Sequence, residues 1–243
     1  MTASDPGISA FTLYYMDHPF WRAECIRLAV HIYLAKGKQL PFEYKDARVN
    51  GRALRESGKP VFGQMPVAGV VFAADDSKQE HILAEVQAIC SFVGKQIGFY
   101  PTANPWEMAK MDEAFGGLTS ATDLISSTMG IQPPERKIQV RQSICDLEEG
   151  RLTQFVGGLE TLLQKANGTA TNQVVFVPSF GLSIVDLAAW RFVGWVSSGI
   201  LDGIPTKWVQ ESFPLLWQVH RQVDSMPETQ SWKGKHSKFY SNS

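Results

Sequence analysis

The rhythm of apolar and polar positions changes once along this chain. Between residues 11 and 97 short apolar runs alternate with helical periodicity. The pattern predicts a strand over 11–15, a helix over 22–35, strands over 42–47 and 67–72, a short strand near His81 and a helix over 84–97. From residue 104 onward the strand signals stop and helical periods follow one another with few glycine or proline breaks. The predicted fold class is therefore α/β plus all-α: a small α/β domain over 10–97, then an all-helical domain over 105–232. The stretch 98–104, which contains Gly98 and Pro101, reads as a linker, and 233–243 reads as a frayed, polar and basic tail.

Local chemistry marks several helix boundaries. Asn104-Pro105-Trp106-Glu107 offers a side-chain cap, a proline where a missing N–H costs little and an acid near the positive helix end. In the helix that follows, Gly116-Gly117 predicts a weak point and a kink. Ile144, Leu147, Phe155, Leu159 and Leu162 are read as one face of a later helix. Ser183 and Asp186 have the spacing of a capping box, in which a hydroxyl and a carboxylate satisfy the first backbone N–H groups reciprocally. The following 187–196 is apolar almost all round, which places that helix at the centre of its domain.

One turn carries candidate chemistry. In Gly63-Gln64-Met65-Pro66-Val67 a proline stands at the first residue of an apolar strand, where a cis bond commonly makes the bend. Met65 then keeps a main chain free to hold an extended, peptide-like ligand by strand addition.

Composition excludes other classes. The formal net charge is −1 with no basic block, which argues against nucleic acid as the main partner. Cys25, Cys90 and Cys145 are scattered and odd in number, as reduced thiols of a cytoplasmic protein are. The start lacks a basic region followed by an apolar core, and no apolar run is long enough to span a membrane, so an unexported protein is expected. No histidine joins a cysteine or acid at ligand spacing, so no metal is expected, and no glycine-rich phosphate loop is present. Seven tryptophans, Trp190, Trp195 and Trp217 among them, read as helical core.

Taken in order, the small α/β half, the linker, the helical half, the Gln-Met-Pro-Val turn and the Ser-x-x-Asp cap resemble a cytosolic glutathione transferase over roughly 11–232. Leu13-Tyr14-Tyr15 followed by Arg22-Ala23-Glu24 and Ile26-Arg27 is similar to the tyrosine-type, sigma-like enzymes, as is the loop 198–205. The resemblance implies a thioredoxin-like N-terminal domain, glutathione as co-substrate, conjugation or reduction of small hydrophobic electrophiles, and a homodimer that sets the small domain of one subunit against the helical domain of the other. It also implies an electrophile pocket between the halves, for which Met108, Met111 and Phe115 are candidates alongside a role in core packing.

By the same resemblance Tyr15 is the catalytic residue. A hydroxyl at the end of the first strand donates a hydrogen bond to the glutathione sulfur and favours its thiolate. Tyr14, adjacent in the strand, points to the opposite face. Met65 pairs through its main chain with the cysteinyl part, Gln64 contacts the peptide and Pro66 holds the turn. Glu85 and Val86 open the next helix, where N–H groups receive the γ-glutamyl carboxylate and an acid pairs with the ammonium. Arg52, Arg55 and Lys59 are equal candidates for the glycine carboxylate. Val86 stands where the family carries a hydroxyl, and Ser120 falls where a partner subunit's aspartate is usual, with Asp123 three residues on. One extra residue lies between Tyr15 and Arg22. His18-Pro19-Phe20 matches the cysteine-type relatives except that histidine replaces the thiol, which disfavours thiol-disulfide chemistry. The alternative reading is a non-catalytic, glutathione- or hydrophobe-binding member of the fold.

Overall fold

The structure is a computed structural model, in which residues 7–168 and 173–240 are described. The chain divides into two compact units, one ending at Tyr100 and the other beginning at Pro101.

In the first unit the alternation of period-2 and helical segments becomes β1 (Ile8–Tyr15), α1 (Trp21–Ala35), β2 (Glu43–Arg48), α2 (Gly51–Glu56), β3 (Val67–Phe72), β4 (His81–Ala84) and α3 (Val86–Ile97). The strands form one mixed sheet in the order β2-β1-β3-β4. Strand β1 runs parallel to β2 and antiparallel to β3, with Tyr14 opposite Val67 and Tyr15 opposite Arg48. Phe11, Leu13 and Tyr15 occupy one face of β1 and are buried, as period-2 geometry requires. Helix α1 is buried along most of its length and packs on α3, which brings Cys25 and Cys90 within 3.6 Å. Both thiols are free and buried, as is Cys145.

Two charged residues inside α1 are fully enclosed and satisfied. Arg27 donates to Asp46 at 3.1 Å and to Glu24 at 3.3 Å, and its remaining N–H groups reach the carbonyls of His18 and Met16. One guanidinium thus fastens the β1–α1 loop from behind, and Arg48 extends the network to Asp17 and Asp46. The short α2, which the hydrophobic pattern does not reveal, starts where the Asn50 side chain accepts from the N–H groups of Arg52 and Ala53.

The second unit contains α4 (Pro105–Ser127), α5 (Pro134–Ile144), α6 (Arg151–Asn167), α7 (Ile184–Val196), α8 (Trp208–Ser212), α9 (Pro214–Asp224), α10 (Pro227–Lys235) and α11 (Ser237–Tyr240). Asn104 caps α4 through the N–H groups of Trp106 and Glu107. Helix α4 continues through Gly116-Gly117, where Gly117 allows close packing: a Cβ there would stand 2.9 Å from Leu159 of α6. The single helix read across 144–162 is two. Helix α5 ends at Ile144 and α6 begins at Arg151, so Leu147 lies in the turn between them and is exposed. The buried stripe of α6 is Leu152, Val156, Leu159 and Leu163, with Phe155 and Leu162 at its half-buried margin.

Helix α7 is the centre of the unit, buried at eleven of its thirteen positions. Its capping box is complete: the Ser183 N–H and hydroxyl donate to Asp186 at 2.8 and 2.6 Å, and the Phe176 N–H donates to the other oxygen at 3.0 Å. The tail expected to fray is helical as far as Tyr240, whose ring is buried and stacked against Trp190. An aromatic residue in a polar stretch gave it an anchor. The start of the chain, 1–6, and the end of the tail, 241–243, lie outside the described residues.

Candidate functional site

Four local features of the first unit assemble the candidate site: the end of β1, the start of α1, the turn before β3 and the junction of β4 with α3. Tyr15, the last residue of β1, is 4 % exposed. Its hydroxyl makes no hydrogen bond among the described residues. Burial pushes its pKa up to about 12, against the opposing pull of the Arg22 and Arg27 guanidinium groups, so the phenol keeps its proton. The Arg27 guanidinium lies 5.8 Å from the Tyr15 ring centroid. Tyr14 is committed elsewhere. Its hydroxyl donates to Glu80 at 2.7 Å, and Lys59, 4.3 Å from the Tyr14 ring, pairs with the same carboxylate. Gly69 makes room for this cluster, since a Cβ on it would overlap the Glu80 carboxylate.

The Met65–Pro66 peptide is cis, and β3 begins at the next residue. The Met65 side chain is buried, while its main-chain N–H and C=O have no hydrogen-bond partner among the described residues. Gln64 is exposed and tied to α1, because Arg22 Nη1 donates to its Oε1 at 3.0 Å. In the sequence Arg22 stands out only as part of the Arg22-Ala23-Glu24 pattern. The contact spans 42 residues, and nothing in the local sequence announces it.

The boundary near residue 84 differs from the predicted one. Ala84 ends β4, Glu85 is the residue before the helix, and α3 starts at Val86. Glu85 has φ 71 and ψ 124, a region that side-chain-bearing residues rarely occupy, and its side chain is exposed and does not cap the helix. The first-turn N–H groups of α3 therefore receive no cap from it, and the positive end of a twelve-residue helix faces the same corner. Val86 is buried and brings no hydroxyl. Of the cations proposed for a glycine carboxylate, Lys59 is paired with Glu80 and the exposed Arg52 with Glu56. Among the candidates for an electrophile pocket, Met111 and Phe115 are fully buried core residues of α4. Ser120 and Asp123 are exposed on the same helix. Among the described residues no group of three or more His, Cys, Asp or Glu is placed to hold a metal, and no helix is long and apolar enough to cross a membrane.

No family model matches the chain, and no curated protein matches it. Solved structures do. A nematode-specific GST of C. elegans superposes with a TM-score of 0.60 at 21% identity, over 93% of this chain and 95% of that one. A sigma class GST of Fasciola hepatica gives 0.63 at 17% identity, over 95% and 97%. A maleylacetoacetate isomerase from Anaeromyxobacter dehalogenans gives 0.57 at 17% identity, over 92% and 95%. The chain thus has the glutathione transferase fold, with a thioredoxin-like N-terminal domain followed by a helical C-terminal domain.

Proposed function

We propose that the chain is a cytoplasmic glutathione transferase of the tyrosine type, close to the sigma group, that conjugates glutathione to small hydrophobic electrophiles or reduces them. The observation that carries this reading is the pair of tyrosines at the end of β1. Tyr14 is held by Glu80, whereas the hydroxyl of Tyr15, on a largely buried side chain, keeps its proton and has no partner among the described residues. A phenol of that kind is a hydrogen-bond donor waiting for an acceptor, and a thiolate sulfur is one. The unpartnered main chain of Met65 supports the reading, as does the uncapped start of α3, suited to the cysteinyl backbone and the γ-glutamyl carboxylate respectively. Gln64, aligned by Arg22, is assigned to the peptide and Pro66 to the turn. The isomerase neighbour was solved with GSH bound in its active site. The chemistry asks for no metal.

The test is calorimetric binding of glutathione together with conjugation to a generic aryl halide. Saturable binding with turnover above the uncatalysed rate is expected. Binding without turnover would favour the second reading, a non-catalytic member of the fold, for which the buried Val86 in place of a hydroxyl is the specific observation.

Glu85 gives a separable prediction. Glycine adopts this positive φ without steric strain, so Glu85→Gly is expected to relieve about 1–3 kcal/mol of strain, partly offset by glycine's larger loss of backbone entropy on folding, and to raise the melting temperature slightly. The same change removes the acid assigned to the γ-glutamyl ammonium, and glutathione affinity should fall about tenfold. Equal affinity in the two proteins removes Glu85 from the site.

The reading includes a homodimer. Val61 and Phe62, adjacent in the loop before Gly63, are 71% and 70% exposed, an apolar pair of the kind that subunit contacts cover. Sedimentation at micromolar concentration should show dimers for the native chain and monomers for Phe62→Asp. A native monomer rejects the assembly.

A further inference from the structure

Helix α9 borders two adjoining cavities of the helical unit, about 850 and 200 Å³, that share Trp217, His220 and Asp224. Helices α7, α10 and α11 complete the wall of the smaller one with Trp190, Lys233 and Tyr240, and Ser197 joins it just past the end of α7. Its charged groups already have partners. Lys233 donates to Asp224 at 3.0 Å, the Trp190 indole N–H donates to the same carboxylate at 3.0 Å, and the Arg191 guanidinium lies 5.4 Å from the Tyr240 ring. A ligand anion would have to compete for these cations.

Two polar groups are not committed in this way. The His220 Nδ1 lies 2.8 Å from the Trp190 carbonyl, an acceptor, so Nδ1 carries the proton and Nε2 keeps its lone pair. Burial holds the His220 pKa below its ordinary value despite the carbonyl and Asp224, which pull it up, so the ring is neutral near pH 7. Gly194 allows the approach, because a Cβ on it would come within 3.3 Å of the imidazole Cε1. The buried Ser197 hydroxyl has no hydrogen-bond partner among the described residues. The walls are aromatic: Trp217 stacks on His220 at 5.0 Å, and Trp190 on Tyr240 at 6.3 Å.

We propose that this cavity is a second ligand site, which takes a small uncharged aromatic molecule with a hydroxyl group and receives its proton in a hydrogen bond at His220 Nε2. Ring faces supply apolar and stacking contact, the imidazole lone pair supplies direction, and the internally paired charges select against anions. The site lies wholly within the helical unit and does not rest on the glutathione reading.

Calorimetric titration of the native chain with 4-methylphenol and 4-methylanisole tests it, since the two differ in the hydroxyl proton. The phenol is expected to bind with one-to-one stoichiometry at least tenfold more tightly than the ether, with or without saturating glutathione. His220→Asn retains an N–H for the Trp190 carbonyl but has no acceptor where Nε2 stood, and it should lose that preference. Equal affinity for the two probes, no binding of either at millimolar concentration, displacement by glutathione, or an unchanged preference in the Asn variant would each overturn the proposal. If that variant does not fold, the two probes decide on the native chain alone.

Discussion

Tyr15→Phe is expected to lower glutathione conjugation about a hundredfold while leaving glutathione affinity nearly unchanged, the size of effect seen when one pre-positioned donor to a developing or resident anion is removed. The substitution deletes one oxygen from a buried side chain that makes no hydrogen bond among the described residues, so the fold should not register it. The pH profile separates mechanism from damage. With a pKa of about 12, Tyr15 remains protonated throughout the working range, so it acts as a donor and not as a base. The ionisation that governs turnover is then that of the bound thiol. In the native protein it should lie below the value of about 8.5 typical of a free thiol, and in the Phe variant it should move back up toward that value. Activity lost at neutral pH should therefore be recovered in part as the pH is raised. Steady-state rates from pH 6 to 10 with both proteins are the measurement. A variant that turns over like the native protein removes Tyr15 from catalysis, whatever becomes of the fold assignment.

Asp186→Ala is expected to cost about 3 kcal/mol of stability, because it leaves the Ser183 N–H, the Ser183 hydroxyl and the Phe176 N–H without their acceptor in a fully buried place. The helix they start, α7, is the one around which the unit is built, so the loss falls on the global transition. The pH dependence has a definite sign. Burial outweighs the hydrogen bonds and raises the Asp186 pKa to about 6, above its ordinary value. A carboxyl whose pKa is raised by folding contributes most below its unfolded pKa, and that contribution declines as the pH rises through the folded value. The gap in stability between native and Ala proteins should consequently narrow between pH 4 and 7. Denaturant midpoints across that range check it, and a gap that widens contradicts the assignment.

Much of this architecture could be read from particular residues. The apolar run over 67–72 and the proline before it located β3 and its turn, and Ser183 with Asp186 located the central helix, because each signal is carried within a few neighbouring positions. What escaped was carried otherwise. Helix α2 is six residues long and polar, so it has no period to detect, and only Asn50 hints at it. The break between α5 and α6 was masked because Leu147, an exposed leucine in a turn, fits a helical stripe as well as a buried one would. The backbone of Glu85 follows from how β4 meets α3, not from the residue, which has no preference for positive φ. The tie from Arg22 to Gln64 and the Tyr14–Glu80–Lys59 cluster join positions 42, 66 and 21 residues apart, and only folding brings them together.

The enclosed thiols have a practical corollary. Cys25 and Cys90 face each other in the α1–α3 contact, Cys145 is covered in the helical unit, and burial pushes the Cys90 and Cys145 thiols up, away from the reactive thiolate. The folded chain is therefore a poor competitor for thiol reagents. In an assay that follows the loss of free glutathione sulfhydryl, the protein contributes little background of its own. Colour developed with an aromatic disulfide reagent in the absence of glutathione counts molecules that have opened, with Cys25 and Cys90 reporting on one unit and Cys145 on the other.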